Sequence, residues 1–466
     1  MQSLLLRLRA WWETADRTQK SVTIFGSLFL VLLLAGSLNA QVVQVSLKEA
    51  IDHAYRNDPN INKLENTIAL QESNLRANYG NLFPDLKFST GWTRSNTVIN
   101  NSFINQNGIP IPESNETSNN FSLSLRSDVT LFDGMANFDR IELAKQTRVQ
   151  YQIQLKQVKQ DIAVRIISSY IAVLKNQQIV VINEATLADS RAQLERVKIF
   201  VEVGRRTLSD VYQQDVIVAQ NELLVEQAKN NLNKSISDLA YNSNLPLDKN
   251  YAVNTAEFNT EVEYAALESY VLQNQNTDVL VRNAFNNRQD IKARMQNLDL
   301  LETNIEIAKG TQYFPTLTGF GQYSMNGNKI DNVTNQRTFT IGLSLNYAIF
   351  QGFQQDYQRQ IALINYRSAQ EDITLIKNQV EVEIKKAIQD LRSLLKQIEI
   401  VDRSLLNAQQ NKLMAEESYR VGIGTLLDVN TATTNLNNIL INKSNLVYDF
   451  INAQKTLEYY QGLLIY

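Results

Sequence analysis

Cysteine is absent from all 466 residues. That excludes disulfides, thiol catalysis, thiolate metal sites and a lipid-bearing N-terminal cysteine. Histidine occurs once, as His53, which leaves too little for a histidine zinc site or a Ser-His-Asp triad. Proline (six) and glycine (16) are scarce, and so few breakers imply long regular elements. There is no excess of basic charge either: 45 basic against 48 acidic side chains give a net of −3, and nothing favours nucleic acid. No Ser/Lys pair, paired-carboxylate or phosphate-loop constellation stands out, so catalysis, a cofactor and a metal are all without support.

What is present begins with an address. Lys20 precedes the stretch SVTIFGSLFLVLLLAGSLNAQ, whose apolar core runs from Ile24 to Ala35. Small and polar residues follow to Ala40, which predicts signal-peptidase cleavage before Gln41. The alternative is a retained anchor over residues 21–38, just short of the ~20 residues that span a bilayer.

The rest of the chain is written twice. VEVGRRTLSDV (201–211) answers YRVGIGTLLDV (419–429), and VTLFDG (129–134) answers YAIFQG (347–352) at the same offset. LFPDL (82–86) answers YFPTL (313–317) at a wider offset, with the longer segment 101–120 supplying the difference. This is a tandem duplication. It divides the chain into a signal peptide (1–40), a first repeat (41–241), a connecting equatorial segment (242–265) and a second repeat (266–466).

Each repeat switches period. Segments 46–80 and 264–310 are polar and helical. Then Phe121, Leu123, Leu125, Val129 and Leu131 alternate with Ser, Arg, Asp and Thr, and in the second copy Phe339, Ile341, Leu343, Leu345, Tyr347 and Ile349 alternate with Thr340, Gly342, Ser344 and Asn346. A period of two gives strands with one apolar face. With partners before them, strands are predicted at 85–95, 120–132, 316–326 and 338–349. After Gly134 and Gly352 the apolar residues fall three and four apart, as in Leu155, Val158, Ile162, Ile166, Tyr170 and Leu174, which is the pattern of a helix. The two helical stretches are equal in length and end at Gly204 and Gly422. With about 70 residues at ~1.5 Å per residue, each is about 105 Å long, far more than the ~40–45 Å of a bilayer with its headgroups.

The repeated turn reads as a reversal between antiparallel helices. Gly204 and Gly422 suit the left-handed position after a helix. Thr207 and Thr425 stand three residues before Asp210 and Asp428, the spacing of a capping box, with each aspartate near the positive end of the next helix. Capping alone accounts for these residues.

The pattern of long helix, V-G-x-x-T-x-x-D-V and long helix, duplicated and flanked by hairpins, resembles the TolC-like outer-membrane efflux family. SYRVGIGTLLDVNTATTNLNNI (418–439) is similar to that family's second periplasmic tip and IFVEVGRRTLSDV to its first. The resemblance implies a mainly α protein with membrane β: long helical hairpins, four transmembrane strands per chain, and a homotrimer sharing a 12-stranded barrel and an α-helical tunnel. It implies a periplasmic gate at Asp428, Asp210 and Tyr419, with Val203, Gly204, Arg205, Arg206, Thr207, Val421, Gly422 and Thr425 forming the tip turns and adaptor contact. Thr431 stands where the family has a second acid, and Gly424 where it has a gate arginine, for which Arg205 and Arg206 could substitute. The implied partners are a periplasmic adaptor, an inner-membrane transporter of RND or ABC type, and outer-membrane lipid.

The strand count agrees. Four strands cannot close a membrane barrel, whose lower limit is about eight, and open edges are not tolerated in lipid, so chains must share one. The expected function is a passive exit duct in the outer membrane, its helical tunnel in the periplasm. The competing readings are a non-channel coiled-coil envelope protein, an adaptor and, last, an enzyme. His53 reads as a packing or surface residue, and Trp92 as an interfacial anchor or ordinary packing.

Overall fold

A computed structural model of the protein describes residues 43–99, 114–254 and 264–464. The signal-peptide prediction lies outside the described residues. The elements in order are β1 (Val43–Val45), α1 (Leu47–Asn57), α2 (Pro59–Gly80), β2 (Lys87–Ile99), β3 (Ser114–Phe132), α3 (Ala136–Glu202), α4 (Leu208–Asn242) and β4 (Tyr251–Val253). The second half repeats the plan with α5 (Tyr264–Gln273), α6 (Thr277–Asn287), α7 (Gln289–Tyr313), β5 (Thr316–Gly327), β6 (Gln336–Asn346), α8 (Gln354–Val421) and α9 (Leu426–Tyr460). Among the described residues, no helix is long and apolar enough to cross a membrane. The chain clusters into two compact units.

The unit formed by residues 55–165, 262–406 and 445–466 holds the four long strands. They make one antiparallel sheet in the order β2-β3-β5-β6. The register places Phe88, Leu125, Tyr323 and Phe339 in one cross-strand row, and Ser89, Ser124, Ser324 and Thr338 in the next. Successive rows point to opposite faces, so one face is apolar and the other polar. The apolar face has no cover: Phe339, Ile341, Leu343 and Leu345 are 66–77% exposed. On the polar face Arg126 binds Asp128 through Nε and Nη2 and reaches Gln322 Oε1 at 3.2 Å. Its guanidinium stands 4.9 Å over the Phe320 ring. A Cβ at Gly342 would come within 2.7 Å of that ring, so glycine is what lets Phe320 lie flat there.

Several strand ends differ from the sequence reading, with β2 spanning Lys87–Ile99 rather than 85–95 and β6 beginning at Gln336 rather than 338. β3 begins at Ser114, because the polar run 114–120 pairs with residues 93–99 of β2; with no apolar alternation, that run reads as loop. β6 stops at Asn346, so Tyr347 and Ile349 lie beyond the paired ladder.

The strand-to-helix corners repeat to the residue. Gly134 and Met135 have positive φ, as do their counterparts in the second repeat, Gly352 and Phe353. A left-handed residue other than glycine is uncommon and costs about 1–2 kcal/mol, so the corner is held by its surroundings. At the first corner a Cβ on Gly134 would meet the Gly310 carbonyl oxygen at 2.5 Å, and one on Gly310 would meet that of Gly134 at 2.6 Å. Two glycines thus let the turn and α7 touch backbone to backbone. Elsewhere in this unit Arg288, at the α6–α7 elbow, is buried and pairs with Asp290 and Glu383 at 2.6 and 2.7 Å. Removing either acid would leave a buried charge short of a partner, which is costly.

The other unit comprises residues up to 54, 166–261 and 407–444. β1 and β4 pair in parallel and place β4 inside the connecting segment. Three-residue strands carry no readable period, so sequence patterning missed them. The fully buried Tyr170 hydroxyl donates to Asn254 O and accepts from Asn254 N, both at 3.0 Å, pinning the end of β4 to α3.

Candidate functional site: the paired helical turns

Both turns lie in this second unit, and their geometry follows from their glycines. α3 ends at Glu202 and Gly204 adopts φ +73°; α8 ends at Val421 and Gly422 adopts φ +94°. Added Cβ atoms at either would meet nothing within 4 Å. Backbone conformation, not space, therefore requires glycine. The orphan carbonyls at the helix ends are taken up locally: Phe200 O accepts from Arg205 N at 2.8 Å, and Ser418 O from Gly424 N at 2.9 Å. Gly424 is constrained differently, because a Cβ there would sit 2.9 Å from Ser418 Cβ.

The threonine–aspartate pairs cap the returning helices. Asp428 Oδ2 accepts from Thr425 N at 3.0 Å and from Thr425 Oγ1 at 2.6 Å, while Asp428 N donates to Thr425 Oγ1 at 3.2 Å. At the first turn Asp210 Oδ2 accepts from Thr207 N at 3.2 Å. Asp428 is exposed. The Thr425 hydroxyl, and then its N–H, hold the Asp428 carboxyl below the usual carboxylate range. The ionised form is the one that accepts both bonds.

Tyr419 ties the two turns together. It is 3% exposed in a cluster with Val197, Leu426 and Val429, against which Phe200, Val211 and Ala415 pack. The Phe200 ring lies 6.1 Å away. Over the other side stands Arg206, its guanidinium 4.2 Å from the Tyr419 ring centre. Arg206 Nη2 donates to the carbonyls of Tyr419 and Gly424, both at 3.0 Å. Arg206 and Gly424 occupy the same position in the two repeats. A side chain from one turn thus closes on the backbone of its own counterpart. The Tyr419 hydroxyl is buried without a hydrogen-bond partner, and burial, ahead of nearby charges, raises its pKa. It makes no hydrogen bond to Asp210, which caps α4 instead.

The remaining tip residues face outward. Arg205 is exposed, and Val203, Val421, Ile423 and Leu427 are 59–83% exposed. Sequence reading missed the polar layer behind the tip. There Gln214, 1% exposed, donates to Ser190 O at 3.1 Å, and Lys412 pairs with Asp189 at 2.6 Å. The only signal for it was polar residues at core spacing. Among the described residues no cluster of His, Cys, Asp and Glu could hold a metal.

Comparison with known proteins accords with this architecture. The model of a family described as outer membrane efflux protein matches residues 50–241 and 280–463. Outer membrane protein TolC of Vibrio cholerae serotype O1 is 24% identical over 431 residues, covering 89% of this chain and 90% of that protein. Its namesake from Escherichia coli K12 is 23% identical over 399 residues, covering 82% and 75%. Among solved structures, the outer membrane protein VceC of Vibrio cholerae superposes with a TM-score of 0.71 at 17% identity, over 89% of this chain and 96% of VceC. The CmeC outer membrane channel of Campylobacter jejuni gives 0.71 at 16%, over 89% and 85%. The chain belongs to the outer membrane efflux protein family, and it is a TolC-like outer-membrane protein rather than an enzyme, with the fold of solved outer-membrane channels.

Proposed function

We propose that three copies of this chain form an outer-membrane exit duct for a tripartite efflux or type I secretion system. The observation that carries the reading is the open four-stranded sheet. Its strands are 11–19 residues long, enough for the ~9–11 residues of a tilted membrane strand. Among the described residues β2 and β6 each keep one unpaired edge, and lipid does not tolerate free edges. Three copies supply 12 strands, with the apolar face on lipid and the face bearing Arg126 and Gln322 lining a polar pore. The paired turns form the periplasmic gate: Asp428 faces its symmetry mates, Arg206 and Tyr419 hold each protomer's two hairpins closed, and Asp210 caps. The exposed Val203, Val421, Ile423 and Leu427 meet a periplasmic adaptor, and an inner-membrane transporter of RND or ABC type supplies the energy.

Purified protein added to planar bilayers should give discrete, cation-preferring conductance steps. The competing reading, a non-channel coiled-coil envelope protein, expects detergent-stable protein that inserts without any conductance. That result would remove the duct.

A further inference from the structure

We propose that a lysine-lined pocket between α1, α3 and α7 binds a multivalent oxyanion, a ligand carrying two or more phosphate or carboxylate groups. The pocket lies within the sheet-bearing unit, has a volume of about 400 Å³, and is lined by Lys156, Lys159 and Lys292 with Tyr55, Gln289 and Leu464 among its other walls. Among the described residues no acidic side chain lines it.

The charge pattern departs from the habit of the same helices. On α3, Lys145 pairs with Glu142 at 3.2 Å and Lys198 with Glu195 at 2.7 Å; on α7, Lys309 pairs with Glu306 at 2.7 Å. Lys156 and Lys159 on α3, and Lys292 in the first turns of α7, form no such pair among the described residues. Three lysines lining one recess concentrate positive charge there, and a ligand that brings several negative charges at once gains most from it. Lysine acts on phosphate or carboxylate as a compact point charge with three donors.

The walls are held in place. The Tyr55 hydroxyl donates to Lys159 O at 3.0 Å, and the Lys159 ammonium stands 5.7 Å from the Tyr55 ring centre. Gln160 Nε2 donates to Leu464 O at 3.4 Å, fixing the far rim. Gln289 Nε2 donates to Asn287 O at 3.2 Å at the start of α7, where the helix dipole adds positive potential. A single small anion would leave most of the volume empty. A pyrophosphate or a tricarboxylate carries enough charge to engage several of the amines at once.

The test uses the purified full-length assembly at low ionic strength, titrated calorimetrically with pyrophosphate and separately with tricarballylate. The expected result is saturable binding of at least one probe at one per protomer. Lys159→Gln or Lys292→Gln should weaken it about tenfold each, as loss of a charge-assisted contact does. Lys159→Arg should retain it, the exposed Lys63→Gln should leave it unchanged, and the triple glutamine variant should abolish it. The bound probe should also raise the thermal midpoint of the wild type and not that of the triple variant. No saturable binding of either probe, or equal binding by a folded triple variant, overturns the proposal. Whichever probe binds more tightly identifies phosphate or carboxylate as the source.

Discussion

Arg206→Ala is expected to unlatch the tip. The side chain makes two hydrogen bonds from a charged donor to carbonyls of the opposite turn and lies on the Tyr419 ring. Charge-assisted bonds contribute about 1.5–3 kcal/mol and an exposed cation–π contact about 0.5–1. Discounting for a half-exposed arginine and for water replacing it at the carbonyls leaves about 2 kcal/mol per protomer. That is roughly a 30-fold shift in the equilibrium between joined and separated hairpins. In bilayers the variant should spend far longer in large-conductance states. Arg206→Lys should recover only part of the effect, since an ammonium lacks the flat face that stacks on the ring. Arg205→Ala, one residue away and exposed, should behave as wild type. Equal behaviour of the two alanine variants would mean that Arg206 latches nothing.

Asp428→Ala is expected to move the pore toward neutral selectivity. Three unit charges ~8 Å from a permeating ion, screened over about one Debye length, give a cation-over-anion ratio of roughly seven. The variant removes all three. The pH dependence has a definite sign. Because Thr425 holds the Asp428 carboxyl below its ordinary value, charge and cap are both present above the ordinary range near ~4. They are lost only as pH falls through the lower, folded value. Thr425→Ala removes the hydroxyl that is the larger cause, so selectivity should then collapse at higher pH than in the wild type. Divalent cations should lower the wild-type conductance more than that of Asp428→Ala. Asp210→Ala is the control, because Asp210 also accepts from its threonine's N–H at the other turn. Identical changes in selectivity for both aspartates would reduce Asp428 to a helix cap.

Much of this was legible in the sequence because it was written twice. The shared offset of Gly204 and Gly422 from their preceding corners located both reversals, and alternation located the strands, because those signals depend only on local period and backbone demand. The capping boxes were likewise local. Residues 114–120 were not legible, since a strand paired along a polar stretch has no hydrophobic face to reveal it. The β1–β4 pairing was too short. The Arg206 latch joins positions in different repeats, and nothing in RRT distinguishes the arginine that turns inward from Arg205, which remains in solvent. The lysine pocket is hidden for the same reason: Tyr55, Lys159 and Lys292 meet only when three helices pack. The absence of glutamates three or four residues from those lysines is its only trace in the sequence.

The proposed shared barrel can be tested directly because the chain has no cysteine of its own. Thr93→Cys on the β2 edge, paired in turn with Thr338→Cys, Thr340→Cys or Ser344→Cys on the β6 edge, places one thiol on each free margin of the polar face. Neighbouring strands lie ~4.8 Å apart, within reach of a disulfide when the register matches. Oxidation of membrane-embedded protein should give, for one of these pairs, a ladder of one, two and three linked chains that ends at three, with no product from either single cysteine. A ladder running past three, one ending at two, or no cross-link at any register would contradict a barrel closed by three copies.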